Sequence, residues 1–187
     1  MFPAPEARAH RILPARAAHA PETASADAGE HVAEITLTTH RVTYSDRLKV
    51  FIGPDEDVDS FLRPLRRMDG MQRYALEVSL LPEPLPATEV TPAVSAARGD
   101  HALSCVGSAD AMAIHLRSTV DHVSRTHVLG FEGTRAGLPT VYLPHGTDET
   151  YVYPEEVFTA QHALAIFRTW FRSGRLPGGL QRRELLD

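Results

Sequence analysis

Lysine is almost absent from this 187-residue chain: Lys49 is the only one among 19 basic residues, so arginine carries the positive charge. With the high Ala and Pro content this fits a GC-rich coding bias, and arginine abundance alone carries no functional signal. Cysteine is nearly absent too. With Cys105 alone, an intramolecular disulfide and a thiolate metal cluster are both excluded. Cys105 sits in a strand-like run, residues 101–107, with no flanking base or helix N-terminus to activate it, so it reads as a small buried hydrophobe. No stretch approaches the roughly 18 apolar residues needed to span a bilayer. The N-terminus carries arginines but no apolar block like that of a secretory signal, so the cytosol is the expected compartment. The net charge of −5 argues against a nucleic-acid footprint and for solubility.

The chemistry-bearing motifs are missing as well. There is no phosphate-cradling or dinucleotide glycine pattern and no Gly-x-Ser-x-Gly elbow. His-Glu-x-x-His and closely spaced cysteine pairs are absent, and so is the Cys-bearing deaminase signature. No metal site and no cofactor are expected. Ten histidines remain, but His115, His122 and His127 have spacings that match no compact helical or strand ligand pair.

What is present is a pattern for one domain. The hydrophobic fraction of 43% and charged fraction of 23% are those of a globular chain, and the length suits one core rather than two. Residues 1–31, rich in Ala, Pro, His and Glu, read as a flexible N-terminal extension. Residues 32–187 read as a single α+β domain. Its expected sheet is antiparallel or mixed, with about five to seven short strands, one early helix and one C-terminal amphipathic helix packed on it. Strands are expected at residues 34–39, 48–52, 74–81, 102–106, 112–116 and 127–131, with 112–116 readable as helix too. Pro82, Pro84, Pro86 and Pro92 mark residues 82–100 as a long surface loop. Val58, Phe61, Leu62 and Leu65 fall at helical spacing behind an acidic first turn, and Pro64 either kinks that helix or ends it near Leu62. Short strands at 140–143 and 151–153 flank a turn through His145. The absence of βαβ alternation disfavours a doubly wound fold.

The helix over residues 159–173 is the best-specified element. Thr159 suits the N-cap, and Ala163, Leu164, Phe167, Trp170 and Phe171 form one apolar stripe. Gly174 suits the left-handed C-terminal position, and Pro177 blocks continuation.

Two acidic clusters stand out: Asp55, Glu56, Asp57 and Asp59, and then Asp148, Glu149, Glu155 and Glu156. Each has a local explanation, as helix-dipole complementation and as a solvated loop. On one common face they would make a negative surface suited to a cationic partner. His145 beside Asp148 and Glu149 reads as a solvated turn, or as an acid–base pair.

Tyr153-Pro154-Glu155-Glu156, the helix after it and Ser173-Gly174-Arg175-Leu176-Pro177 resemble immunity protein family 1 of bacterial polymorphic toxin systems. Residues 50–62 are similar to that family's strand followed by an acid-led helix, and Leu129-Gly130-Phe131-Glu132-Gly133 to a mid-domain strand. The family's closing aromatic has no counterpart here, where Gly178-Gly179-Leu180-Gln181 stands, and this leaves the final strand open. The resemblance implies a non-enzymatic cytosolic antidote that binds a cognate toxin domain, a deaminase or nuclease, and blocks its active site. The expected contacts are Asp55, Glu56, Asp57, Asp59, His145, Asp148, Glu149, Tyr151, Glu155 and Glu156, with no nucleic acid and no membrane as partner. The alternatives are a small hydrolase or transferase using His145 with Asp148 or Glu149, and a regulatory module using Arg168, Arg172, Arg175, Arg182 and Arg183. The oligomeric state is not legible.

Overall fold

The computed structural model describes residues 37–97 and 99–185; the expected extension over 1–31 and the start of the first expected strand lie outside them. The architecture is α+β. Nine strands are described: β1 (Leu37–Tyr44), β2 (Leu48–Ile52), β3 (Ala75–Pro86), β4 (His101–Gly107), β5 (Met112–Val120), β6 (Val123–Phe131), β7 (Val141–His145), β8 (Asp148–Val152) and β9 (Leu180–Glu184). Seven form one sheet in the order β2-β1-β3-β4-β5-β6-β9, antiparallel throughout. β7 and β8 form a separate hairpin. The helices are α1 (Val58–Leu62), α2 (Pro92–Ala96) and α3 (Ala160–Ser173).

One face of the sheet carries the main core. Val42, Ile52, Leu76, Val78, Leu103, Cys105, Ile114, Leu116 and Leu129 pack against Val58 and Leu62 of α1 and against the α3 stripe, with Phe167 and Trp170 essentially inaccessible. α3 starts at Thr159, whose hydroxyl accepts from His162 N–H, and ends at Gly174 with φ +65°, as its sequence dictates. Backbone bonds between Phe158 and Met112 and from Ala160 N–H to the Ala109 carbonyl fix its first turn to the start of β5.

Alternation puts the other residues of the same strands on the opposite face. There Ala113 of β5 and Val128 of β6 pack against Leu143 of β7 and Val152 of β8. The hairpin therefore lies across the sheet from α1 and α3.

Several sequence expectations change in detail. Pro64 ends α1 at Leu62 and sits at the start of a 3-10 segment, Arg63–Arg67, where its missing N–H is harmless. Residues 82–100 are not one loop. β3 runs on to Pro86, because beyond Ser79 it pairs only with β1, and a bulge at Thr38–His40 accommodates the prolines. α2 follows, with Pro92 in its first turn and the Thr91 hydroxyl accepting from Val94 N–H. Residues 112–116 are strand, and β5 and β6 are longer than expected, joined by a two-residue turn at Asp121 (φ 52°) and His122 (φ 64°). The final strand is present as β9, paired with β6 without a closing aromatic.

Candidate functional site

The two acidic clusters are separated by the sheet. Asp55, Glu56, Asp57 and Asp59 precede or belong to α1 on the main-core face, and Asp148 and Glu149 belong to the hairpin on the other. The single negative surface considered from sequence does not form.

On the α1 side most of the carboxylates are engaged locally. Glu56 Oε1 accepts from Gly53 N–H at 2.9 Å and closes the turn after β2. Asp57 caps α1, accepting from Asp59 N–H at 3.1 Å and the Ser60 hydroxyl at 2.7 Å, and these bonds hold its carboxyl below the usual value. Asp59 is bound in a two-pronged pair by Arg168 of α3, whose Nη2 donates to Oδ2 at 2.8 Å. That pair ties α1 to α3 and leaves Asp55 as the exposed acid of the cluster with no side-chain bond among the described residues.

Glu156 is the largest departure from expectation. Expected on a binding loop, it is fully inaccessible, and it lies in the 3-10 segment Pro154–Glu156. Arg183 of β9 donates to both oxygens, Nε to Oε1 and Nη2 to Oε2, each at 2.8 Å. Tyr153 N–H donates to Oε2 at 3.1 Å, and Arg135 Nε approaches Oε1 at 3.1 Å. Burial pushes the carboxyl up, but the Arg183 bonds, the Tyr153 N–H and the charges of Arg183 and Arg135 outweigh it and hold it below the usual value. Arg183 also lies over the Tyr153 ring, 5.2 Å from its centroid. Gly130 of β6 makes room for the cluster, because a Cβ there would stand 2.6 Å from Arg135 Nη2 and 3.1 Å from Glu156 Cγ. The neighbouring Glu155 is half-buried and its side chain lies close against Gly133. The Tyr-Pro-Glu-Glu sequence thus clamps the edge strand through the buried Glu156.

The hairpin presents the remaining candidates. Its loop is only Gly146-Thr147, with Gly146 at φ +69°, so His145, Asp148 and Glu149 are strand residues rather than turn residues. His145 shares the parity of Leu143 and Val141, which face the sheet, and its positive form would lower the pKa of His115 on β5. Burial, with His145 and Arg183 nearby, pushes His115 down to about 4 against the opposing pull of Glu156. His145 and Asp148 are cross-strand partners, yet among the described residues no hydrogen bond or ion pair joins His145 to Asp148 or Glu149. The acid–base pair considered from sequence is not assembled.

On the outer side of the hairpin, Tyr151 (52% exposed) stands beside Tyr142 (50% exposed), ring centroids 5.7 Å apart. Glu149 follows the same parity, whereas Asp148, exposed at the tip, shares the side of its partner His145. Tyr142 was missed from sequence, although it falls out of phase with half-buried Val141 and buried Leu143. The result is a small exposed aromatic patch with the Glu149 carboxylate on the same side. Of the Arg-rich alternative, Arg168 and Arg183 are committed to Asp59 and Glu156, whereas Arg172, Arg175 and Arg182 are exposed.

Comparison with protein-family models, with curated proteins and with solved structures returns no match. Among the described residues no group of three or more His, Cys, Asp or Glu could hold a metal ion, and no helix is long and apolar enough to cross a membrane.

Proposed function

We propose that this chain is a non-catalytic, antitoxin-type binding protein that neutralises a cognate toxin domain by covering its catalytic cleft with the outer side of the β7–β8 hairpin. The observation that carries the reading is the exposed Tyr142–Tyr151 pair with Glu149 on the same side of the hairpin. Paired tyrosines supply rigid contact area at low entropy cost, and the Glu149 carboxylate complements the cationic cleft of an enzyme that processes nucleic acid. The ordered resemblance over residues 153–177 supplies the toxin, of deaminase or nuclease class, and the cytosol as the place of action. The acid-led α1 takes no part in this contact, since it lies across the sheet.

The upstream reading frame should encode a secreted protein with a toxin-like C-terminal domain, and co-expression with that domain should protect cells and yield a complex on gel filtration. Tyr142→Ala and Tyr151→Ala should each weaken the complex by about 2 kcal/mol, roughly thirtyfold. Asp55→Asn, on the opposite face, should leave it unchanged. Absence of both protection and complex would sink the proposal.

A further inference from the structure

Away from the hairpin, a cleft of about 560 Å³ opens between the edge strand β2 and the α1–3-10 segment. Its interior is apolar. Met68 and Leu76 are buried at the bottom, Val50 is half-buried and Leu48 is 57% exposed on the β2 wall. The Tyr44 hydroxyl is turned away to the Phe61 carbonyl at 2.9 Å, so its ring joins the apolar lining.

The charged residues that line this cleft are Arg63, Arg67 and Arg73, with no carboxylate among the lining residues. All three are exposed, and among the described residues no carboxylate lies within 4.0 Å of any of them. Of the acids nearby in sequence, Asp59 is paired with Arg168. Asp57 and Asp69 are bonded to Ser60 and to the backbone N–H groups of Met71, Gln72 and Arg73, with Arg63 and Arg73 acting on them only as weaker, more distant charges. A chain with a net charge of −5 therefore concentrates three guanidinium groups, none in a close ion pair among the described residues, over one apolar hollow.

We infer that this cleft binds a small organic phosphate with an apolar or aromatic body. The guanidinium fork matches phosphate oxygens two at a time, so three of them suit a dianion better than a carboxylate. The hollow has the volume of a small-molecule site and an apolar floor for the body of the ligand. Inorganic phosphate would meet only the rim. This inference is independent of the hairpin and of the proposed toxin.

Isothermal titration of the full chain with 1-naphthyl phosphate tests it. Saturable one-to-one binding is expected, weaker at high salt, with 1-naphthol and inorganic phosphate each binding more weakly. Arg67→Glu and Arg73→Glu should each raise the Kd about tenfold with circular dichroism unchanged, because both side chains are exposed and unpaired. Arg172→Glu and Arg182→Glu, equal in charge but outside the cleft, should leave the Kd unaltered. No binding overturns the inference, and so does equal weakening by all four variants. Displacement of the probe by a single-stranded oligonucleotide at lower concentration than by a mononucleotide also overturns it, since the arginines would then belong to a nucleic-acid surface.

Discussion

Glu156 is the one buried carboxylate among the described residues, bonded by the Arg183 fork and the Tyr153 N–H with Arg135 beside it. Glu156→Gln leaves Arg183 and Arg135 with unmatched charge and should cost about 2–4 kcal/mol in urea unfolding. Its pKa is depressed on folding, so its contribution is complete above the ordinary value of 4.5 and is lost as pH falls below it. Acid unfolding of the wild type should steepen there, and Glu156→Gln should lack that step. His40 acts in a different window. Its ring stacks on Phe171 at 3.9 Å, and burial lowers its pKa from 6.5 to about 4. The unfolded chain binds this proton first, so stability should fall from pH 6.5 down to about 4, by on the order of 3 kcal/mol for this residue. His40→Phe should flatten that slope, and an unchanged slope would show that another group is responsible. His115, also lowered to about 4, adds to the same window and leaves a residual slope in the variant.

At the scale of elements, legibility followed burial. α3 was readable almost to the residue because its stripe, its cap and its terminal glycine agree. β5 and β6 were readable only over their buried halves. Their outer ends, from Arg117 through Arg125, lie half-buried or exposed, so neither face is driven apolar and the alternation disappears. The turn between them was also concealed, since Asp121-His122 supplies two left-handed residues without the usual asparagine or glycine. That choice carries strain. His122→Gly should raise stability by about 0.5–1 kcal/mol in thermal or urea unfolding, whereas His122→Val should lower it. The continuation of β3 through three prolines was hidden for another reason: a one-sided pairing is set by the fold, not by the strand's own residues.

For the molecule as a whole, the class and the C-terminal helix could be read from the letters, and the candidate site only in part. Asp148, Glu149 and Tyr151 are exposed as a surface requires, but whether two clusters share a face depends on strand parity across a seven-stranded sheet. No local pattern contains that information. Nor does sequence distinguish a surface glutamate from one buried beneath arginines 21 and 27 residues away along the chain, which is why Glu156 was misplaced.

The clamp on β9 also bears on time. β6 ends at Phe131 and finds its outer neighbour only at Leu180, after the hairpin and α3 have been laid down. Such a long-range edge pairing is among the last contacts a folding chain can afford to close. Arg183→Ala should therefore leave the refolding rate nearly unchanged and accelerate unfolding, a φ-value near zero in a chevron analysis. The residue that locks the native state would then govern how long the protein lasts, and scarcely how fast it forms.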